Sequence, residues 1–314
     1  MLSIVLPAYN EQQMIEKVVI TLQQLLTANS IPYELIFIDD GSRDNTWNEI
    51  QSATKKYKNV VGVHFSRNFG KESAIFAGLE AAIGDVVAVM DCDLQHPPET
   101  LIQMYREWEN GFELIEGIKK SRGKEGIIHT VSAKTFYKIM SKATGIDMQN
   151  ASDFKMMDRK VVDALLQLPE RNTFFRALSS WCGYKVRTVE FEVQEREAGE
   201  TKWSVTALFR YALTNIVSFT TIPLQFVTLS GVVFFIIAII LGVQTLIKYF
   251  CSGAVEGFTT VILLLLFIGS VIMISLGIIG YYIAKMYEEI KARPRYIVSE
   301  VIKSTKDGEG EFDG

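Results

Sequence analysis

The stretch Asp91-Cys92-Asp93-Leu94-Gln95-His96-Pro97-Pro98-Glu99 decides how the amino-terminal half of this chain folds. It follows an apolar run at residues 86–90 that has the length of a buried strand. Side chains two positions apart on an extended chain project to the same side, and paired carboxylates suit Mg²⁺ or Mn²⁺. An Asp-x-Asp pair is also common in a solvated loop after a strand, so both interpretations stay open at this point.

Apolar runs and amphipathic segments alternate through the amino-terminal half. Strands are predicted at residues 2–6, 33–38, 60–65, 86–90 and 112–116. One helix follows the first strand and ends near residue 28, and three more are predicted at 44–57, 72–83 and 98–109. This alternation indicates an α/β fold with a Rossmann-like, doubly wound, mostly parallel sheet. Polar clusters follow the first, second and fourth strands, which predicts a nucleotide site at one edge of the sheet. The Gly-x-Gly-x-x-Gly and P-loop motifs are missing, which disfavours dinucleotide binding and P-loop NTPase activity.

Composition excludes several classes of protein. The net charge of −4 over 314 residues argues against nucleic-acid binding. The three cysteines, Cys92, Cys182 and Cys251, are far apart, so they indicate neither a disulfide framework nor a zinc site. A mean hydropathy of +0.17 is high for a chain with 22% charged residues, so its apolar residues must be concentrated in one region.

That region lies near the carboxyl end. No charged residue occurs between Arg210 and Lys248, or between Glu256 and Lys285. Each stretch exceeds the roughly 20 apolar residues that cross a bilayer, which predicts two spans at about 224–247 and 258–284 and disfavours a pair of buried core helices. Basic residues cluster outside this hairpin, so the positive-inside rule places the large amino-terminal domain in the cytoplasm of a multi-pass plasma-membrane protein. Small residues in the second span favour close packing, including a homo-oligomer such as a dimer or tetramer.

Four regions follow from these patterns. Residues 1–200 form a cytoplasmic domain, 201–222 an interfacial amphipathic helix, 223–286 the two transmembrane helices, and 287–314 a cytoplasmic tail with a disordered end. The interfacial segment carries aromatic side chains beside Lys202 and Arg210, although a soluble core helix is the alternative for it.

Seven motifs together carry a resemblance to a known family. They are Pro7-Ala8-Tyr9-Asn10-Glu11, Asp39-Asp40-Gly41-Ser42, Arg67-Asn68-Phe69-Gly70-Lys71, the stretch at 91–99, Asp153-Phe154-Lys155-Met156-Met157-Asp158-Arg159, Arg196-Glu197-Ala198-Gly199-Glu200-Thr201-Lys202-Trp203-Ser204 and Arg293-Pro294-Arg295-Tyr296. In this order they resemble glycosyltransferase family 2 with the GT-A fold, and within it the polyprenyl-phosphate glycosyltransferases. That group includes dolichol-phosphate mannose synthases and bacterial undecaprenyl-phosphate glucosyltransferases. The resemblance covers residues 1–300.

The resemblance implies a nucleotide-sugar site and a metal site. The residues that it assigns to the nucleotide-sugar are Pro7, Tyr9, Glu11, Asp39, Asp40, Lys71 and Asp91. Asp91, Asp93 and Gln95 would hold Mg²⁺ or Mn²⁺, which neutralises the donor diphosphate. His96 is expected to be structural rather than a ligand.

The resemblance also implies a lipid-phosphate acceptor bound by cationic side chains. These would be Arg122, Lys119, Lys134, Arg196 and Lys202. Many relatives have arginine at the positions of Lys119 and Lys134, and lysine cannot make the bidentate phosphate contact of arginine. The residues with an implied catalytic role are Asp153, Asp93, Arg196 and Lys202. Asp153 would act as a base or orient the acceptor; capping of the following segment is its alternative role.

The expected activity is that of a metal-dependent, inverting hexosyltransferase. It would move a sugar from a nucleotide-sugar, with UDP-glucose or UDP-N-acetylglucosamine favoured, to undecaprenyl phosphate and so supply lipid-linked sugar for cell-envelope glycans. Inversion is expected because a phosphate oxygen can displace the nucleotide in line and no protein nucleophile is evident. The alternatives are a processive or non-lipid-acceptor member of the same family and a non-catalytic membrane scaffold.

Overall fold

The computed structural model describes residues 1–120, 152–170, 174–192, 222–252 and 257–304. The chain divides into two compact units. The first combines Met1–Trp203 with Pro294–Gly314, and the second is Ser204–Arg293.

The first unit is built from eight strands and six helices among its described residues. The strands are β1 (Leu2–Ala8), β2 (Tyr33–Asp39), β3 (Val60–Phe65), β4 (Val86–Val89), β5 (Leu114–Lys119), β6 (Lys155–Asp158), β7 (Val186–Phe191) and β8 (Val298–Lys303). The helices are α1 (Ile15–Ala28), α2 (Thr46–Lys56), α3 (Lys71–Ala81), α4 (Pro98–Glu109), α5 (Arg159–Gln167) and α6 (Phe175–Trp181).

One sheet runs through this unit in the order β7-β5-β6-β4-β1-β2-β3-β8. The pairs β1–β2, β1–β4, β2–β3 and β5–β7 are parallel, which confirms the predicted mostly parallel α/β sheet. Three of the eight described strands were not predicted, namely the parallel edge strand β7 and the antiparallel strands β6 and β8. β6 lies between β4 and β5, and β8 pairs with β3. A four-residue strand that begins with Lys155 and ends with Asp158 lacks the apolar signature of a buried strand.

Helices cover both faces of the sheet, as a doubly wound fold requires. On one face, the alternate β1 side chains Leu2, Ile4 and Leu6 join the apolar stripe of α1 in the main core. Fully burying each such side chain contributes about 1.5–3 kcal/mol. On the other face, α3 lies so close to β1 that a Cβ on Gly78 would be 2.1 Å from Cγ1 of Val5.

Helix starts follow local hydrogen-bonding rules. The N-cap of α2 is Asn45 rather than the predicted Asp44, although Asp44 accepts a 3.0 Å hydrogen bond from the backbone N–H of Thr46, where α2 begins. Asp158 caps α5 by accepting from the N–H of Lys160 at 3.1 Å. The helix predicted at 98–109 is present with Pro98 in its first turn.

The second unit contains two long apolar helices, α7 (Ile222–Ser252) and α8 (Phe258–Ile290). Among the described residues, Leu224–Thr245 and Phe267–Ile290 are long and apolar enough to cross a membrane, with mean hydropathies of 2.8 and 2.0. Large apolar side chains such as Phe235 and Met273 are exposed along both helices. An apolar surface of this extent indicates membrane association.

The carboxyl-terminal region differs from the predicted tail at 287–314. α8 continues to Ile290, and β8 adds an edge strand to the sheet of the first unit. Arg295 donates to the carbonyl oxygens of Leu168 and Glu170 at 2.8 and 2.6 Å. Its guanidinium also lies 4.6 Å from the ring centroid of Phe76. Residues 201–221 of the predicted interfacial helix and the tail end beyond 304 lie outside the described residues, and Ile222 is the first residue of α7.

Candidate functional site

A cavity of about 300 Å³ opens at the carboxyl ends of β1, β2 and β4. It lies where the sequence predicted a nucleotide site, because the polar clusters after these strands meet at one edge of the sheet. Its lining consists of Pro7, Ala8, Tyr9, Glu11, Asp40, Asn68, Gly70, Lys71, Ala74, Asp91, Cys92 and Asp93. Six of the seven residues assigned to the nucleotide-sugar are therefore brought together, and Asp39 is the exception.

Asp39 is fully buried beside the cavity rather than in its lining. Its Oδ1 accepts a 3.2 Å hydrogen bond from the N–H of Ser42, and its Oδ2 lies 2.6 Å from Nδ1 of His64. The imidazole of His64 in turn stacks on Trp47 with ring centroids 4.8 Å apart. Direct contact between Asp39 and a ligand would require these partners to move, so Asp40 is the acidic residue of this pair that faces the cavity.

Asp40 organises the turn that leads into α3. Its two carboxylate oxygens accept hydrogen bonds from the N–H groups of Phe69 and Gly70, at 2.6 and 2.9 Å. Burial raises the pKa of this carboxyl above its usual range. The two turns touch closely, since a Cβ on Gly41, whose φ is +64°, would lie 2.4 Å from the carbonyl carbon of Arg67. This contact positions Lys71 at the start of α3.

The loop after β1 is tied to the loop after β2. The N–H of Asn10 donates to Oγ of Ser42 at 2.9 Å, and the side-chain oxygen of Asn10 accepts from the N–H of Arg43 at 2.9 Å. The N–H of Glu11 donates to Oγ1 of Thr46 at 2.8 Å. These bonds give the cavity wall a defined shape before any ligand binds, which lowers the ordering cost of binding.

Lys71 bridges two carboxylates at the cavity. Its ammonium lies 2.6 Å from Oδ1 of Asp91 and 2.8 Å from Oδ2 of Asp153. Burial alone would lower the pKa of Lys71, but the two carboxylates outweigh burial and raise it, so the side chain carries a full positive charge at neutral pH. The ammonium links the acidic end of β4 to the segment that precedes β6.

Arg176, which sequence reasoning missed, holds Asp153 from the other side. Its Nε lies 2.6 Å from Oδ1, and its Nη2 lies 2.8 Å from Oδ2. Burial disfavours the Asp153 carboxylate, but Arg176 and Lys71 hold its pKa well below the usual range. A carboxylate this strongly stabilised is a poor proton acceptor. The geometry therefore favours the orienting role of Asp153 over its role as a base.

Two further contacts hold the helix that carries Arg176. The backbone N–H of Phe175 donates to Oε2 of Glu72 at 2.9 Å. Burial, together with the nearby Asp153, raises the pKa of Glu72 to about 7. The buried Lys155 donates to Oγ of Ser179 at 2.7 Å, and burial lowers the pKa of this lysine. α6 is thus anchored to α3 and β6, next to the cavity.

Two of the three residues at the predicted metal site, Asp91 and Asp93, offer the carboxylate oxygens that suit a small divalent cation, whereas Gln95 does not line the cavity. Asp91 and Asp93 both line the cavity, and the ammonium of Lys71 already lies where a cation would contact Asp91. The N–H of Gln95 donates to Oδ1 of Asp93 at 3.1 Å, which fixes the turn. Within the described ranges, no group of three or more His, Cys, Asp or Glu side chains is arranged as a metal site. Such a cation is typically held by one or two carboxylates together with substrate phosphates.

His96 packs as an aromatic side chain near the predicted metal site. Its ring stacks on Phe154 with centroids 4.6 Å apart and meets Phe191 edge-on at 5.3 Å. Burial lowers the pKa of the imidazole, which keeps it neutral. These contacts agree with the structural role predicted for His96.

Of the five residues predicted to bind the acceptor phosphate, only Lys119 is described. It is the exposed last residue of β5. The other four residues, two of which also had a predicted catalytic role, are Arg122, Lys134, Arg196 and Lys202, and they lie outside the described residues. The acceptor side of the site therefore stays a prediction.

The sequence of this chain is similar to those of known glycosyltransferases. The family model of glycosyl transferase family 2 matches residues 3–166. An uncharacterized glycosyltransferase of Synechocystis sp. is 38% identical, over 96% of this chain and 95% of its own length. A prophage bactoprenol glucosyl transferase homolog of Escherichia coli is 36% identical, over 96% of this chain and 99% of the relative.

Two more distant likenesses extend the comparison. An SfII prophage-derived bactoprenol glucosyl transferase of Shigella flexneri is 35% identical, over 95% of this chain and 97% of the relative. Among solved structures, glucosyl-3-phosphoglycerate synthase from Mycobacterium tuberculosis, in complex with Mn²⁺ and UDP-glucose, is 20% identical with a TM-score of 0.47. That match covers 69% of this chain and 77% of the other.

Proposed function

Since the chain belongs to glycosyl transferase family 2, with the mostly parallel sheet of the GT-A type, we propose that it transfers a sugar from a nucleotide-sugar to a polyprenyl phosphate. One observation carries the proposal: the ammonium of Lys71 bridges Asp91 and Asp153 in a cavity at the carboxyl ends of the strands. Relatives named bactoprenol glucosyl transferases match nearly the whole chain, including its two apolar helices, at 35–36% identity. Bactoprenol phosphate is therefore the acceptor that we propose.

On the donor side, the acidic residues after β4 face the diphosphate. Asp91, Asp93 and Gln95 would hold Mg²⁺ or Mn²⁺, and a cation bound there would neutralise charge on the departing nucleoside diphosphate. The Lys71 ammonium adds a second positive charge at the same cavity. Asp40 fixes the turn before Lys71, so the cation-binding and diphosphate-binding groups keep a constant spacing.

On the acceptor side, the nucleophile needs no strong base. An oxygen of the lipid phosphate is already anionic near neutral pH; it forms the new bond to the anomeric carbon while the bond to the donor diphosphate breaks. Asp153 stays ionised between Arg176 and Lys71, so in this proposal it positions cationic groups rather than removing a proton. In-line displacement inverts the anomeric carbon, and an α-linked donor gives a β-linked lipid product.

UDP-glucose is the donor that we propose ahead of UDP-N-acetylglucosamine. This choice is supported by two relatives named as glucosyl transferases, which match at least 95% of this chain and at least 95% of their own length. The test uses the detergent-purified full chain, undecaprenyl phosphate and a panel of radiolabelled nucleotide-sugars. We expect label in the organic extract with UDP-glucose, loss of that label with EDTA, and its return with Mg²⁺ or Mn²⁺. Lipid-extractable label with none of the donors would contradict the proposal, and an α-linked product by NMR coupling would contradict inversion.

We also propose that both apolar helices cross the plasma membrane with the first unit in the cytoplasm. The three free cysteines offer a test, because Cys251 is exposed at the end of α7, whereas Cys92 is buried and Cys182 is partly buried in the first unit. A membrane-impermeant maleimide added to intact cells should label the wild type and not Cys251→Ser. Equal labelling of the two would contradict this orientation. Association into a dimer or tetramer, which the small residues of α8 favour, is testable by light scattering in detergent.

A further inference from the structure

The contact between Lys71 and Asp91 has a consequence for cation binding. The Lys71 ammonium lies 2.6 Å from the same Asp91 carboxylate that would ligate the divalent cation. Lys71 is also held in place by its backbone, because it is the first residue of α3 and the preceding N–H groups of Phe69 and Gly70 are bound by Asp40. The ammonium is therefore a built-in cation at the acidic end of β4.

Resting on the function proposed above, we propose that Lys71 is an internal counter-ion that competes with the divalent cation for Asp91. The free enzyme would hold the metal weakly, and the metal would enter together with the donor diphosphate. Lys71 thereby sets the order of binding as well as contacting the donor.

The charges around Lys71 support this exchange. Asp153, its second carboxylate partner, is already bound on both oxygens by Arg176, so it cannot compensate fully for the loss of Asp91. A divalent cation that took Asp91 from the ammonium without a nucleotide would lie close to a second positive charge, which repels it. A diphosphate removes this conflict because its oxygens can bind both the metal and the ammonium.

Removal of the Lys71 charge should therefore tighten metal binding to the free enzyme. If Lys71 occupies Asp91 in most molecules, the apparent metal affinity equals the intrinsic affinity multiplied by the fraction of molecules in which Asp91 is available. Removing the competition should raise the apparent affinity roughly tenfold. In the same variant, UDP should raise the affinity for the metal by a smaller factor than in the wild type. Because coupling free energies are reciprocal, the metal should raise the affinity for UDP by that same smaller factor.

The experiment measures Mn²⁺ binding by electron paramagnetic resonance to the detergent-purified full chain, without nucleotide or acceptor. We expect Lys71→Met to bind Mn²⁺ roughly tenfold more tightly than the wild type. Lys71→Arg, which keeps the positive charge, should stay weak. Lys56→Met is the matched control, because Lys56 pairs with Glu16 on the exposed surface. The double variant Lys71→Met/Asp91→Asn should lose the gained affinity, which assigns it to this carboxylate.

Unchanged or weaker Mn²⁺ binding by Lys71→Met would overturn the inference, as would an equal gain in Lys71→Arg or a gain that survives Asp91→Asn. The readout is bound metal in the absence of turnover, so it is separate from the test of the proposed function. A wild type that transfers sugar while Lys71→Met gains no affinity would refute only the counter-ion role. A wild type that is inactive with every donor would refute the proposed function.

Discussion

The guanidinium of Arg176 donates hydrogen bonds to both carboxylate oxygens of Asp153, from Nε to Oδ1 at 2.6 Å and from Nη2 to Oδ2 at 2.8 Å. This bidentate pair fixes the plane of the carboxylate and turns one oxygen towards Lys71. α6 thereby supports the cavity without lining it, since the cavity wall contains Lys71 but not Arg176.

Arg176→Ala should destabilise the first unit and impair transfer. It leaves a buried carboxylate with Lys71 as its remaining charged partner among the described residues, which we expect to cost about 3 kcal/mol at pH 7. The folded-state pKa of Asp153 is depressed, so the stability that this pair supplies is present above the unfolded-state value of about 3.9 and is lost as the pH falls. In thermal unfolding, the deficit of the variant should therefore stay constant from pH 7 to about pH 4 and shrink as the pH falls below about 4.

The control for that change is Arg187→Ala. Arg187 pairs with Glu107 at 3.5 Å on a half-exposed surface, where such a pair contributes about 0–1 kcal/mol. Transfer by Arg176→Ala should fall roughly tenfold or more, because a displaced positioning group is costly. Equal stability and equal activity of the two variants would contradict the role given to Arg176.

Glu72→Gln should flatten the pH dependence of stability. The folded-state pKa of Glu72 is raised to about 7 by burial and by Asp153, so protonation favours the folded state. That contribution is fully present below the unfolded-state value of 4.5 and is lost as the pH rises through about 7. The full effect is at most about 3 kcal/mol, at 1.36 kcal/mol per pKa unit, and less where water screens the partly exposed carboxyl.

Unfolding of the wild type and Glu72→Gln between pH 5 and pH 8 measures this effect. Glutamine keeps an oxygen that can accept from the N–H of Phe175, so the two proteins should be similar near pH 5 and the variant more stable near pH 8. Parallel curves would show that Glu72 does not titrate in this range.

Asp91→Asn and Asp93→Asn should each abolish sugar transfer while the protein still inserts into the membrane. Both remove an anionic oxygen that the proposed cation needs, and an amide is a weaker ligand for Mg²⁺ or Mn²⁺. The measurement is lipid-extractable label together with the amount of protein in the membrane fraction. Asp163→Asn is the matched control, since Asp163 is exposed on α5 and its nearest ion pair, with Arg159, spans 3.9 Å. Full transfer by either cavity variant would remove its metal role.

Gly78→Ala should destabilise the first unit by about 1–3 kcal/mol through overpacking. The added Cβ would lie 2.1 Å from Cγ1 of Val5, so α3 must shift away from β1. That shift would also disturb Lys71 at the start of the same helix. Thermal unfolding and nucleotide binding check both effects. Gly231→Ala in α7, whose Cβ meets no described atom within 4 Å, is the control and should change neither.

Local patterns were sufficient to predict most of the fold. The apolar run before Asp91 and the Pro98 helix start depend on residues that are close in sequence, so both were predicted within one or two residues. The acidic and polar clusters after β1, β2 and β4 also followed from strand position, because the carboxyl ends of parallel strands share one edge.

The contacts that shape the site could not be predicted in the same way. Arg176 is 23 residues from Asp153, and Phe175 is 103 residues from Glu72. No sequence spacing encodes such pairs, since they depend on how α6 packs against α3. Asp39 and Asp40 are adjacent and chemically identical, yet Asp40 lines the cavity whereas Asp39 is buried against His64 on the neighbouring strand, since successive side chains at a strand end point to opposite sides.

β8 has a consequence for the order of events during protein synthesis. It pairs with β3, although both apolar helices lie between these strands in the chain, so in sequence the second unit is inserted into the first unit rather than appended to it. On the ribosome, the outer edge of β3 therefore stays open until both apolar helices have been made, on the order of tens of seconds. An open strand edge is a template for aggregation. A soluble version of the first unit should therefore join residues 294–304 to the amino-terminal part by a short linker, because truncation before α7 would leave that edge permanently bare.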